Sequence, residues 1–370
     1  MPEYSAAEQY RQAWFRLGAA ARRADRSYQR TPELILERYA RFETASQRMP
    51  PAAGDGLEFD QTDEFQEMYR KAAAAIDEFG DAMILSFPLV TGVAVSLRYA
   101  GGEILPEPCI TFFVEKKVPE SECEPAIPRS IAGVPADVLE AGRPVLQTSG
   151  AAHVRGRRIR PAQPGSSVSH IRVTSGTLGC LVEDEKRQYI LSCAHVLSDA
   201  AGVPGDAIVQ PGTHYGGTAP KDRVGRLTKT IPLCNGVCIA DAGIVEVDNP
   251  SDVIADIRGL GKPVGTRTLN GLGVNVQKSG DFTGVTTGVV TGLKGTIGPL
   301  TINGAIVTFQ DAIITSGMSC PGDSGSLLMD NRNRAIGLLF GGMQNGSNWV
   351  VSWYNPIDVV LRNLGVSLVT

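Results

Sequence analysis

More than half of this chain, residues 165–370, alternates short apolar runs with glycine-rich turns and has almost no helical periodicity. Short apolar runs bounded by turn residues are typical of β-strands. The chain has 370 residues, of which 42 are glycine and only 11 are phenylalanine. A β-rich stretch of about 200 residues fits one all-β unit, either a sandwich or a pair of barrels.

The first part of the chain has a different pattern and predicts helices. Apolar side chains at helical spacing predict helices within residues 3–49 and a further helix from Asp63 to Phe79. We assign residues 1–84 to a helical N-terminal region. Two interpretations stay open for it: helices that pack on one another, or an arm for oligomerisation or partner docking.

Between these parts the apolar period changes from 3.6 to 2 at Thr91, which predicts a β-hairpin whose second strand covers residues 109–116. We assign residues 85–149 to a small α+β module that carries no visible catalytic group. Residues 150–164, rich in arginine and proline, are predicted to be a linker. The linker arginines fit a solvated connector, an anion-binding patch or a processing site.

Within the β-rich part, the segment from Cys320 to Ser326 reads Cys-Pro-Gly-Asp-Ser-Gly-Ser. A serine hydroxyl is a poor nucleophile unless a base and a site for oxyanion charge lie beside it. Glycines on either side of Asp323 and Ser324 allow a tight turn that presents the serine and directs N–H groups to one point. The segment is therefore a candidate nucleophile turn.

Two further motifs could supply the base and its partner. His195 follows the predicted strand 188–193 in the sequence Leu-Ser-Cys-Ala-His, and it is one of only four histidines in the chain. Imidazole titrates near neutrality and suits a proton shuttle. Asp241 precedes a β-branched run, where a buried carboxylate needs a donor such as a histidine N–H. Asp248 and Asp252, in a loop-like context, are weaker candidates for this position.

The three motifs, in the order His195, Asp241, Ser324, resemble those of the chymotrypsin/trypsin-like serine peptidases, whereas subtilisins and α/β-hydrolases have other orders. The Gly-Thr-Leu-Gly-Cys run at residues 176–180 is similar to the intracellular bacterial group of these peptidases, which is related to the plant narrow-leaf protein. The resemblance covers residues 165–370. It implies an all-β double β-barrel (chymotrypsin-like) peptidase domain preceded by the α-helical region and the small α+β module.

The resemblance also implies residue roles. Ser324 would attack the peptide carbonyl, His195 would transfer the proton, and Asp241 would orient the imidazole. The backbone N–H groups of Gly322 and Ser324 would form the oxyanion hole, and hydrolysis would need no metal or organic cofactor. The substrate-binding residues would be Met318, Phe340, Gly341 and Gly342. Because no carboxylate occupies the expected pocket base, Met318, we expect an apolar or mid-sized side chain before the cleaved bond.

The sequence departs from the secreted family at two points. No new N-terminus is visible that could pair with Asp323, so another group must hold the nucleophile turn. The cysteine that usually follows the histidine is replaced by Val196. Cys180 and Cys193 could face each other across a hairpin that turns near residues 186–187, either as a disulfide or as two packed thiols.

Composition limits the remaining possibilities. A net charge of −4 gives no reason to expect a nucleic-acid partner. No run approaches the roughly 18 apolar residues that span a bilayer, and no secretory signal is visible. Seven cysteines, an odd number, fit reduced thiols. We therefore expect a cytoplasmic protein that does not bind membranes.

The resulting functional prediction is a cytoplasmic serine endopeptidase that acts on protein or peptide substrates. A homo-oligomer or a regulatory protein bound through the N-terminal helices would control it. Two alternatives stay open: a peptide-binding or scaffolding protein on a peptidase fold, and a latent protease that a partner activates.

Overall fold

The computed structural model describes residues 62–87, 89–100, 103–119, 122–123, 125–146, 157–199, 202–233, 235–346 and 348–370. The helices predicted within residues 3–49 lie outside these ranges. Inside them the α-helices are α1 (Asp63–Ser86), α2 (Ala194–Leu197) and α3 (Ile357–Leu364). Short 3-10 turns cover Thr213–Tyr215 and Pro250–Asp252.

Strands are the most frequent elements of the described chain. The first ten are β1 (Val90–Ala100), β2 (Glu103–Val114), β3 (Ser130–Ile131), β4 (Val134–Glu140), β5 (Arg143–Leu146), β6 (Ser167–His170), β7 (Gly176–Thr177), β8 (Cys180–Glu183), β9 (Gln188–Ser192) and β10 (Ala207–Val209). The next six are β11 (Arg223–Thr230), β12 (Gly236–Cys238), β13 (Gly243–Val247), β14 (Gly265–Thr266), β15 (Asn275–Gly280) and β16 (Gly284–Ile302). The last five are β17 (Ala305–Ser316), β18 (Leu327–Asp330), β19 (Arg334–Asn345), β20 (Asn348–Pro356) and β21 (Ser367–Leu368).

The strands form two sheets. The first has eight strands in the order β21-β8-β9-β13-β11-β10-β6-β7. In the second, β15, β16, β17, β20, β19 and β18 pair in this order, and β18 pairs back to β15, so these six strands close on themselves. Closure removes exposed edges from a sheet. The predicted all-β double-barrel class is confirmed by this arrangement.

The strands of the predicted α+β module belong to the second sheet. β1 pairs with β16, β2 pairs with β1 and β4, and β5 pairs with β19. β2 begins at Glu103, six residues before the predicted start, and the strand includes Pro106 and Pro108. Hydrogen bonds therefore join the module to the barrel that follows the linker, while the domain boundaries themselves stay predictions.

Helix α1 corresponds to the helix predicted from Asp63 to Phe79, and it continues to Ser86, seven residues beyond Phe79. It begins at a Thr62 cap, where the threonine hydroxyl accepts the N–H of Phe65 at 3.2 Å. Its buried stripe of apolar and small side chains packs against β1, β2 and β16; the buried members are Phe65, Ala72, Ala75, Ile76, Gly80, Met83 and Ile84. The helix covers one face of the second sheet.

The described end of the predicted linker, residues 157–164, is attached to the first sheet. The Arg160 guanidinium donates to the Gln210 side chain and, at 3.1 Å, to the carbonyl oxygen of Asp222. Arg158 contacts the Asp222 carboxylate at 3.2 Å. Burial, followed by the nearby charge of Arg158, lowers the pKa of Arg160. These two arginines fix the chain on the barrel surface.

Among the helices in the described part of the chain, none combines the length and the apolar composition that crossing a membrane requires.

Candidate active site

His195 lies at the end of the first sheet, in the one-turn helix α2 that follows β9. The last four residues of β9 are buried, so the helix begins against the barrel core. His195 is 4% exposed. Its Nδ1 is hydrogen-bonded to Oδ2 of Asp241, and its backbone N–H donates to Oδ1 of the same carboxylate at 3.1 Å. The two bonds fix the imidazole and leave Nε2 to face away from the aspartate.

Asp241 is fully buried two residues before β13. β13 pairs with β9 so that Gly243 lies opposite Ser192, which brings the carboxylate beside the turn that follows β9. The predicted histidine–aspartate pair is therefore formed in the structure. By contrast, Asp248, a weaker candidate, is partly exposed and binds Arg223 at 2.7 Å.

Ser324 comes from the second barrel, in the turn between β17 and β18. Its two flanking glycines, Gly322 with φ 112° and Gly325 with φ 93°, adopt the left-handed backbone that the turn requires. The Leu339 carbonyl joins this turn to the histidine segment, because it accepts both the Gly325 N–H at 2.8 Å and the Cys193 thiol at 2.9 Å. The nucleophile turn and the histidine segment thus converge at one residue of β19.

The hydroxyl of Ser324 donates to the carbonyl oxygen of Phe340 at 3.5 Å, a long hydrogen bond. Nε2 of His195 is buried and has no hydrogen-bond partner among the described residues. An unpaired buried nitrogen carries a desolvation cost, which a donor such as a serine hydroxyl or a bound substrate could offset. The serine and the histidine are brought to one site without a hydrogen bond between them.

The backbone of the turn is held by Thr177 of β7. The Thr177 N–H donates to the Ser324 carbonyl at 2.7 Å, and its hydroxyl donates to the Gly322 carbonyl at 2.9 Å. Both carbonyls therefore point toward β7. No acceptor is recorded within the described residues for the N–H groups of Gly322 and Ser324, the pair that the sequence predicts as an oxyanion hole.

Asp323 has a set of partners that the sequence did not reveal. Its carboxylate accepts Nζ of Lys278 at 2.9 Å, the Thr283 hydroxyl at 2.6 Å, and the backbone N–H groups of Phe282 and Thr283 at 3.0 Å. The N–H of Cys320 adds a further donor at 3.1 Å. The carboxylate and the lysine are both fully buried. Lys278 is thus the group that balances the charge of Asp323.

One sequence signal could have indicated Lys278. It lies in β15, whose alternation places its side chain on the buried side of the barrel. A lysine at such a position is rarely buried unless a counter-charge accompanies it. The neighbour that supplies the charge is 45 residues away in the sequence, so pattern alone could not name it.

The four predicted substrate-binding residues lie along the second barrel. The side chain of Met318 is 2% exposed and belongs to a buried apolar cluster. The Phe340 ring is fully buried between Phe309 and Trp353, at centroid distances of 4.7 and 5.9 Å. The backbone carbonyl of Phe340 accepts the Ser324 hydroxyl. Gly341 and Gly342 follow in β19, and contact of any of the four with substrate stays a prediction.

The predicted pairing of Cys180 with Cys193 across a hairpin is wrong in register. Cys180 lies opposite Leu191, because the β8–β9 turn is centred one residue earlier than expected. Asp184 sets this turn by accepting the N–H groups of Lys186 and Arg187, each at 2.8 Å. Both cysteines are buried free thiols.

Cys193, His195 and Asp241 place three possible metal-ligand atoms within 4.8 Å of one another. Burial, followed by the neighbouring Asp241 charge, raises the pKa of the Cys193 thiol well above its ordinary value. A metal ligand must be the thiolate, whereas this thiol donates a hydrogen bond to Leu339. The cluster is therefore poorly suited to a metal and well suited to a buried histidine–aspartate pair.

Comparisons with known proteins give structural neighbours only. No family model matches the sequence, and no curated protein matches it. Solved structures that resemble the chain include a Nocardiopsis protease (NAPase), with 18% identity over 56% of this chain and 98% of the other, at a TM-score of 0.43. A Cellulomonas bogoriensis chymotrypsin has 20% identity, the same coverages and a TM-score of 0.42. The MamO protease domain from Magnetospirillum magneticum has 15% identity, covers 54% and 96%, and has a TM-score of 0.35.

Proposed function

We propose that this protein is a serine endopeptidase whose catalytic residues are His195, Asp241 and Ser324. The observation that carries the proposal is the buried His195–Asp241 pair. Among the described residues it leaves Nε2 without a partner, at the site where the Ser324 turn meets the histidine segment. Hydrogen bonding of Nδ1 to a carboxylate selects the tautomer in which Nε2 can accept a proton.

In the proposed reaction, the Ser324 hydroxyl rotates away from Phe340 and transfers its proton to Nε2 of His195 as Oγ attacks a peptide carbonyl carbon. The N–H groups of Gly322 and Ser324 stabilise the oxyanion, and one such donor contributes about 10²–10³ in rate. His195 then gives the proton to the leaving amine. Water hydrolyses the acyl-enzyme by the same route, which returns the serine and leaves a carboxylate.

The proposal includes a nucleophile turn that forms without cleavage of the chain. Lys278 is part of the folded barrel, and with the N–H groups near Thr283 it gives Asp323 a complete set of donors. An internal cation therefore supplies the charge that an inserted N-terminus would otherwise bring. We accordingly propose an enzyme whose turn is ordered in the full-length chain.

Several finer points belong to the same proposal and rest on the sequence. We propose a cytoplasmic location, a relationship to the intracellular bacterial group of these peptidases, and control through the N-terminal region or a homo-oligomer. The support is the odd number of cysteines and the motif at residues 176–180. A preference for apolar residues before the cleaved bond is supported by Met318.

A fluorophosphonate probe tests the activity, since it forms a covalent adduct only with an activated serine. We expect the wild-type protein to be labelled at Ser324 and the Ser324→Ala variant to be unlabelled. Turnover of peptide substrates should fall by about 10⁶ in the variant, the loss seen when such a nucleophile is removed. Ser251→Ala, at an exposed serine outside the turn, is the control for the site of the adduct.

One observation favours the alternative of a peptide-binding protein without turnover: the Ser324 hydroxyl donates to Phe340 and not to His195. The same experiment decides between the two functions. Folded wild-type protein that binds peptides but takes up no probe, alone or with cell lysate, would rule out the peptidase. Labelling that needs lysate would indicate a latent protease.

A further inference from the structure

Strand β5, Arg143–Leu146, covers an edge of β19 beside the nucleophile. The early residues of β19 pair with β18, but that pairing ends at Leu338. From Gly341 to Gln344, β19 pairs with β20 on one side and with β5 on the other. Without β5, this stretch of β19, here called the β19 edge, would present unpaired backbone groups.

The direction of β5 leads toward Ser324. The pairing is antiparallel, with Arg143 opposite Gln344 and Leu146 opposite Gly341. One further residue along β19 is Phe340, whose carbonyl accepts the Ser324 hydroxyl. A peptide that extends β5 in the same register would therefore be carried to the nucleophile. Binding by strand addition to a sheet edge is a common way for proteins to hold extended peptides.

The contact at the β19 edge is a close approach of two backbones. A Cβ on Gly341 would lie 3.0 Å from the Val145 carbonyl oxygen and equally close to the Trp353 ring. Pro144 has no N–H to donate, which fits the non-hydrogen-bonded position of the ladder and makes Val145–Gly342 the hydrogen-bonded pair. The missing side chain of Gly341 therefore admits a peptide backbone at this place.

The attachment of β5 outside this pairing is weak. Arg143 is bound to Glu115 by an ion pair at 2.5 Å, but the two side chains are 71% and 45% exposed, and exposed ion pairs contribute little. The side chains of Pro144, Val145 and Leu146 are only partly buried. β5 is thus held by its pairing with the β19 edge and by packing of Leu146 against the core cluster, contacts that a peptide with an apolar residue at the Leu146 position could replace.

We propose that Arg143–Leu146 occupies the site where an extended peptide substrate binds, so that the chain competes with its own substrates. The proposal rests on the proposed peptidase function. It also names the substrate class: extended peptides with apolar residues at the positions taken by Val145 and Leu146. A tethered competitor acts at an effective concentration of about millimolar, so it opposes peptides that bind in the micromolar range.

The test compares two substrates on the full-length protein. An acetyl-leucine thioester needs only the serine and its neighbours, whereas acetyl-Arg-Pro-Val-Leu-Leu-p-nitroanilide also needs the β19 edge. Val145→Pro removes the N–H that pairs with Gly342 and should raise kcat/KM for the long substrate about 10-fold or more, through a lower KM. The thioester should be hydrolysed at the wild-type rate, and the matched control Val145→Ile should behave as wild type.

A second variant guards against misfolding of Val145→Pro. Arg143→Glu places like charges against Glu115 at the exposed end of β5 and should shift the long substrate in the same direction by a smaller factor. Added acetyl-Arg-Pro-Val-Leu-amide should then inhibit both variants competitively. Unchanged kinetics on the long substrate in both variants, with thioester hydrolysis intact, would overturn the inference. Loss of thioester hydrolysis and probe labelling in wild type would instead contradict the peptidase function.

Discussion

At the scale of single residues, the Lys278–Asp323 pair is the least expected feature of the site. Both side chains are fully buried, and removal of one partner from such a pair leaves an uncompensated charge that costs about 3–5 kcal/mol. We expect Lys278→Met to lower the free energy of unfolding by this amount. It should also slow fluorophosphonate labelling of Ser324, because the N–H groups of the turn lose their alignment. Urea unfolding and labelling rates measure the two effects separately.

The double variant Lys278→Met/Asp323→Asn is the control for charge. It should recover part of the lost stability, since no buried charge is left unpaired, while labelling stays slow because the turn still lacks its anchor. Equal stability of wild type and Lys278→Met would contradict the buried pair. Rapid labelling of an otherwise stable double variant would show that the turn does not depend on this anchor.

Candidate residues can be named from sequence where the local sequence carries the chemistry. Ser324 is flanked by glycines, and His195 and Asp241 stand at the ends of recognisable strands, so each could be named from its own neighbourhood. Lys278 could not be paired with Asp323 in the same way, because the barrel brings them together across 45 residues. The predicted pairing of Cys180 with Cys193 was wrong because hydrogen bonds to Asp184 place the hairpin turn one residue earlier.

At the scale of elements, helix α1 is docked through one small residue. Gly80 lies where the helix meets β16, and a Cβ there would come within 2.7 Å of the Thr296 hydroxyl. We expect Gly80→Leu to destabilise the protein by about 1–3 kcal/mol, the usual cost of overpacking. Ala74→Leu places the same side chain on the exposed face of the same helix and should leave stability nearly unchanged. Urea midpoints provide the comparison.

Leucine has a higher helix propensity than glycine, so only a clash at the docking contact can make Gly80→Leu unfavourable, and unchanged stability of this variant would contradict close docking at Thr296. The helix itself was predictable, because its apolar spacing is regular. Its docking partner was not, since Thr296 lies more than 200 residues away and nothing in its neighbourhood marks it. The same limit applies to β5. Its four residues are too few for a strand to be predicted from sequence, and they form a strand only by pairing with β19.

At the scale of the whole molecule, the candidate site lies where two sheets meet. The first sheet supplies His195 and Asp241, and the second supplies Ser324 and Lys278. The overall class followed from the sequence, because two hundred residues of strand and turn leave few alternatives. The attachment of the N-terminal strands did not, since alternation predicts that a strand exists without saying which strand lies beside it.

This attachment predicts that the barrels depend on the preceding segment. β1 pairs along the middle of β16, and α1 with β1 and β2 encloses a buried cluster that includes Ile76, Val93, Ile110 and Phe112. A chain limited to residues 157–370 would expose the β16 edge and the apolar face beside it, and such surfaces favour aggregation. We expect this chain to be less soluble and to unfold at lower urea than the complete protein, as measured by light scattering and fluorescence.

The complete chain carrying Ser324→Ala is the control, because it removes activity without exposing the edge. A short chain that stays monomeric and unfolds at the same urea concentration would show that residues before 157 form an independent unit.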